Sequence, residues 1–116
     1  MVIKMDLKNE FECEFRDGRE SGVKYIFRGP KIDWGILVLA KGEVLKKHYH
    51  NEVEETFYFL SGSCKIEIND KTYTTRPGDA FRVEPKETHY MINENDEPVK
   101  MVFIKCPYIP DDKVNL

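Results

Sequence analysis

Apolar and polar residues alternate with a period of two through much of the chain, and the alternating stretches are separated by Gly, Pro, Asn and Asp. This rhythm suits an extended backbone, whose successive side chains point to opposite faces; a helix would repeat its apolar stripe every three to four residues. It predicts strands over residues 23–28, 34–39, 44–50, 55–60, 64–68, 71–75, 80–83, 89–93 and 99–105. The step Ile68-Asn69-Asp70-Lys71 predicts a tight hairpin, because Asn and Asp tolerate positive φ, and Gly42, Gly62 and Gly78 mark further turns. No segment of helical length carries a clean apolar stripe, and six prolines interrupt the sequence. Many short strands in 116 residues predict an all-β antiparallel sandwich or barrel, filled by alternate side chains of every strand.

The length suits a single domain. Residues 1–20 are more charged and less regular, which predicts an N-terminal arm or edge strand, with the barrel over residues 21–116 and a short ordered tail from residue 107. With 18 basic and 21 acidic side chains the net charge is -3 and the basic residues are scattered, so nucleic acid and anionic membranes are not expected partners. The N-terminus becomes charged before any signal-like apolar run, and no stretch approaches the ~20 apolar residues of a membrane span. Cys13, Cys64 and Cys106 stand far apart with no CxxC pair, which suits a reducing compartment, and they are assigned no role. A cytoplasmic protein is expected.

The chemistry concentrates on the histidines. His48 and His50 stand two apart in a predicted strand, so both imidazoles share a face and can converge on one ion. Glu54 and Glu55 follow at the start of the next strand, and His89 opens another. Three neutral imidazoles with one carboxylate suit divalent Fe, Mn, Co, Ni, Cu or Zn, whereas Mg and Ca prefer oxygen. Parity favours Glu55, which shares a face with Phe57 and Phe59, while Glu54 lies with Thr56 and Tyr58.

The spacing Gly42-x5-His48-x-His50-x4-Glu55-x6-Gly62 resembles the first cupin motif, and Gly78-x10-His89-x3-Asn93 resembles the second. The resemblance covers roughly residues 34–105 in one copy and implies a small single-domain cupin, a jelly-roll β-barrel or double-stranded β-helix. It implies a divalent transition metal held by His48, His50, Glu55 and His89. The second motif departs from the family pattern, with Glu84 at the usual proline, Pro85 one position later, and Lys86 in place of the usual glycine.

Arg28, Arg82 and Glu67 are further candidate polar groups near the cavity, where an Arg could grip a carboxylate or phosphate in bidentate fashion. Tyr49, Tyr58, Tyr90, Trp34 and Phe81 read as core or interface aromatics, Met91 shares the His89 face, and Asn93 is expected to fix a strand end. The Lys46-Lys47 and Asp111-Asp112-Lys113 runs read as solvated surface.

The expected function is a metal-dependent enzyme, of dioxygenase or isomerase/lyase type, acting on a small polar metabolite in the barrel. Glu54 or a nearby Tyr is the candidate proton shuttle. The alternative is a non-catalytic module that binds a sugar or organic acid with the metal as anchor. Small cupins commonly pair, and the arm from Val2 to Phe15 suits an exchange between subunits, so a homodimer is expected.

Overall fold

The chain forms ten strands: β1 (Gly22–Arg28), β2 (Asp33–Leu39), β3 (Val44–His50), β4 (Glu54–Ser61), β5 (Lys65–Ile68), β6 (Lys71–Thr74), β7 (Ala80–Val83), β8 (His89–Ile92), β9 (Val99–Cys106) and β10 (Lys113–Asn115). The computed structural model describes residues 5–116; residues 1–4, and with them the Val2 end of the arm, lie outside the described residues. All strand pairs are antiparallel and build two five-stranded sheets, in the orders β1-β2-β9-β4-β7 and β10-β3-β8-β5-β6. Neighbours in each sheet are distant in sequence, with β9 between β2 and β4 and β8 between β3 and β5. This is the double-stranded arrangement of a jelly roll.

The two inner faces meet in one core of Leu37 and Leu39 from β2, Phe57 and Phe59 from β4, Ile66 from β5, Val83 from β7, Met91 from β8, and Val99, Met101 and Phe103 from β9. Alternation along β4 and β9 produces this directly: Glu55, Phe57 and Phe59 are buried while Tyr58 and Leu60 are exposed, and Val99, Met101 and Phe103 are buried while Ile104 is exposed. The hairpin between β5 and β6 turns on Asn69 and Asp70, with φ of 49° and 70°, both in the left-handed region a two-residue turn needs. Gly62 ends β4 at φ 76°, where a Cβ would lie 2.8 Å from the Val99 Cα, so both conformation and contact require glycine.

Alternation alone does not place β3. Leu45 pairs with Met91 and His48 with His89, so three steps on β3 oppose two on β8. This one-residue bulge reverses the parity after Leu45, so that Leu45, His48 and His50 all face the interior cavity.

Among the described residues of the arm there is no strand. It carries two three-residue 3-10 turns, Glu10–Glu12 and Arg16–Gly18. Glu10 fastens it to the outside of the first sheet through Lys24 (3.2 Å) and Lys100 (2.8 Å). The tail, expected to be merely ordered, instead forms β10, whose Lys113, Val114 and Asn115 pair with His50, Tyr49 and His48. The Asp111-Asp112-Lys113 run is not simply solvated surface either. Asp112 is buried and accepts hydrogen bonds from the backbone N–H of Glu52 (2.7 Å) and Val53 (2.8 Å), tying the tail to the β3–β4 turn.

Candidate metal centre

His48 and His50 come from β3, His89 from β8 and Glu55 from β4, so the cluster spans both sheets. One potential ligand atom from each lies within 4.8 Å of the others, and all four side chains are buried. The protein fixes how two of the rings are presented. His48 Nδ1 lies 2.7 Å from the Lys46 carbonyl, and His89 Nδ1 lies 3.3 Å from the Glu87 carbonyl. A carbonyl only accepts, so each Nδ1 carries the proton and each Nε2 presents a lone pair. A backbone carbonyl behind the ring is also how metal-binding histidines are usually oriented.

His50 Nε2 lies 3.1 Å from Glu55 Oε1. His89 Nε2 lies 3.3 Å from the same oxygen but without hydrogen-bond geometry, which leaves it the one buried side-chain nitrogen or oxygen lacking a partner among the described residues. A buried acceptor without a partner is costly, so this atom calls for an electrophile. Three imidazoles, one carboxylate and an orphaned Nε2 fit a divalent transition ion.

The electrostatics are consistent with that fit. Burial, followed by the neighbouring His89, lowers the His48 pKa from 6.5 to about 3, which keeps the ring neutral. Burial opposes ionisation of Glu55, but contacts from His50 and His89 outweigh it and hold the carboxyl well below its ordinary range. Glu54 points the other way, 3.8 Å from Arg82 and partly exposed, so it is not beside the cavity as a proton shuttle would be.

The loop that departs from the family pattern is built around Lys86, which adopts φ 70° where a glycine would be unstrained. Its N–H donates to the His50 carbonyl at 2.6 Å, so the irregular residue braces the strand end that carries a candidate ligand. Asn93 is fully buried, and its side-chain amide donates to the carbonyls of Leu39 and Glu97. It fixes a strand end, as expected.

Above the histidines the barrel opens into a cavity of about 150 Å³, walled by Leu37, Leu45, Val53, Phe57 and Phe103. Of the other candidate polar groups, Arg28 lines it, whereas Arg82 and Glu67 do not; they pair with Glu54 and Lys47 on outer faces. Lys105, Lys113 and Tyr25 line the cavity and were not singled out from the sequence. Lys105 was detectable as the next inward position after Phe103. Lys113 was not, because its strand is too short to show a period.

A two-sheet antiparallel barrel with an inward cluster of three histidines and a glutamate defines the cupin class. The Cupin domain family model matches residues 35–105, and the chain belongs to that family. Polyketide synthase CurC of Streptomyces cyaneus is 28% identical over 76 residues, 66% of this chain and 49% of that protein. The chain thus spans about half the length of that curated relative. Among solved structures, a conserved protein with a double-stranded β-helix domain from Klebsiella pneumoniae subsp. pneumoniae MGH 78578 superposes with a TM-score of 0.81 at 16% identity, covering 97% of both chains. The polyketide cyclase RemF from Streptomyces resistomycificus gives 0.79 at 17% identity, covering 97% of this chain and 86% of that one. No helix among the described residues is long and apolar enough to cross a membrane.

Proposed function

We propose that this cupin is a small metal-dependent enzyme whose divalent transition ion is held by His48, His50, Glu55 and His89, and which acts on a small polar metabolite in the barrel. The observation that carries the reading is the buried His89 Nε2, left without a hydrogen-bond partner amid three other convergent donors. Similarity to a polyketide cyclase and a polyketide synthase protein supports a catalytic over a purely binding role. The cavity, at about 150 Å³, is well below the roughly 300–1,000 Å³ of sites for drug-sized ligands, which favours a compact substrate.

When bound, the ion supplies Lewis acidity and, if redox-active, electron transfer, which are the two routes to isomerase/lyase and dioxygenase chemistry. The carbonyls of Lys46 and Glu87 hold two of the imidazole rings in orientation. Glu55 contributes the negative charge of the ligand set. Leu37, Val53 and Phe57 give the cavity part of its apolar wall. Tyr25 supplies the phenol on the cavity wall, and Arg28 stacks 3.9 Å from its ring centroid. We place the protein in the cytoplasm as a homodimer.

The test is elemental analysis of protein purified without chelator, beside His50→Ala. About one equivalent of a transition metal in the wild type, lost in the variant, is expected. Absence of metal from the wild type after reconstitution refutes the reading.

A further inference from the structure

One level of the barrel, directly across the first sheet, carries a row of charge. Arg28 on β1 faces Asp33 on β2, Asp33 faces Lys105 on β9, and Lys105 faces Glu55 on β4. Directly paired residues on a sheet have Cβ atoms about 4.5–5.5 Å apart, so each charge interacts with the next. On the opposite sheet Lys113 pairs with His50. Arg28, Asp33, Lys105, Glu55 and Lys113 all line the cavity.

The row is neutral by itself, but its anions are committed. Asp33 is buried and held by Arg28 at 3.2 Å, and Glu55 is directed at His50 and His89. Among the described residues neither Lys105 nor Lys113 forms an ion pair, and Arg16, also on the cavity wall, has only a long contact of 3.9 Å with Asp17. An ion held by Glu55 would take up that carboxylate's charge and add its own. The cavity wall then carries two lysines, Lys105 and Lys113, without a close carboxylate partner among the described residues.

We infer that the cavity recognises a small organic anion, with a carboxylate held between Lys105 and Lys113 and its other end directed to the metal centre. This rests on the metal-centre reading for the inner end of the ligand only. Lys105 is suited to the role because its Nζ already lies over the Phe103 ring, 5.4 Å from the centroid, which limits the freedom lost on binding. Arg28 is less available, since Asp33 holds its guanidinium at 3.2 and 3.3 Å.

The test compares malonate with its neutral counterpart malonamide by calorimetry, on zinc-loaded wild type and on the Lys105→Met/Lys113→Met double variant, with zinc measured in each sample. Met keeps the apolar stem and removes the charge. Malonate is expected to bind the wild type at least about tenfold more tightly than malonamide, and the double variant to lose that preference while keeping its zinc. Lys113→Met alone, at an exposed position, is expected to weaken malonate about threefold, and it decides the matter if the double variant does not fold. Equal binding of the two probes, or a preference that survives both substitutions, overturns the inference. Failure of the metal-centre reading shows separately, as zinc missing from the wild type, and the probe comparison then still reads the two lysines.

Discussion

His48 and His89 are direct register partners across the β3–β8 ladder, with ring centroids 4.1 Å apart. Two imidazolium charges at that separation inside a barrel would repel strongly, and burial together with the His89 neighbour keeps the His48 ring neutral. An ion between them and acid in the medium compete for the same lone pairs.

Acid should therefore both release the metal and weaken the fold. His48 titrates near 6.5 when unfolded and at about 3 when folded, so between these values the unfolded chain binds a proton that the folded chain does not. Metal-free protein is expected to lose stability as pH falls from about 6.5, by up to about 1.4 kcal/mol per pH unit from this group. The depressed Glu55 carboxyl adds a loss in the same direction below its unfolded value of 4.5. Urea unfolding between pH 7.5 and 4 checks this, and a midpoint that rises with acid would contradict it. Metal is expected to leave as acid unfolds the chain, and occupancy that stays full in acid-unfolded protein would exclude the proposed ligands.

The adjacent glutamates should behave oppositely. Glu55 is buried against His50 and His89, whereas Glu54 sits partly exposed beside Arg82. Glu55→Gln is expected to lower metal affinity by at least about tenfold, while Glu54→Gln leaves it unchanged and shifts stability by less than about 0.5 kcal/mol. Competition against a fluorescent chelator reads the first effect and thermal unfolding the second.

Asp112→Ala should destabilise the fold by about 2–3 kcal/mol, because it removes the acceptor for the backbone N–H groups of Glu52 and Val53. Hydrogen exchange is expected to quicken at those two amides and in β10. Protection unchanged at both would mean that water replaces the carboxylate.

Tyr58, Leu60 and Ile104 stand exposed on the outer face of the first sheet, and Leu7 and Phe11 are exposed on the arm. The proposed homodimer would bury such a surface against a second copy. Light scattering is expected to give about twice the 13.7 kDa chain mass, and removing residues 1–15 should shift the species toward monomer. A monomer at high micromolar concentration refutes the pairing.

The fold was legible because a barrel of antiparallel strands writes its inner face into every second residue. Nine of the ten strands lie where alternation in the sequence predicts them, and the tenth, Lys113–Asn115, is too short to show a period. The convergence of the four donors was legible in part: the i, i+2 spacing of His48 and His50 gives them a common face, and Glu55 keeps the parity of Phe57 and Phe59. What parity could not show is that the face shared by the two histidines is also that of Leu45. Strict alternation would have turned Leu45 and the histidines to opposite sides, and the bulge that reunites them leaves no compositional mark. The charged row was invisible for another reason. Arg28, Asp33, Lys105 and Glu55 become neighbours only through the strand order β1-β2-β9-β4, which no local pattern encodes.

That strand order also bears on how the protein is made. β4 and β8 belong to different sheets, and each is flanked by strands distant in sequence, so the four donors meet only after every loop between them has closed. A partly synthesised or half-collapsed chain has histidines but no binding site. On the proposed metal reading, uptake would be timed to the end of folding, and a bound ion would act as a clasp that fastens one sheet to the other once both are in place. A chain that has lost its metal should open first between β3–β8 and β4, along the seam the ion would otherwise hold.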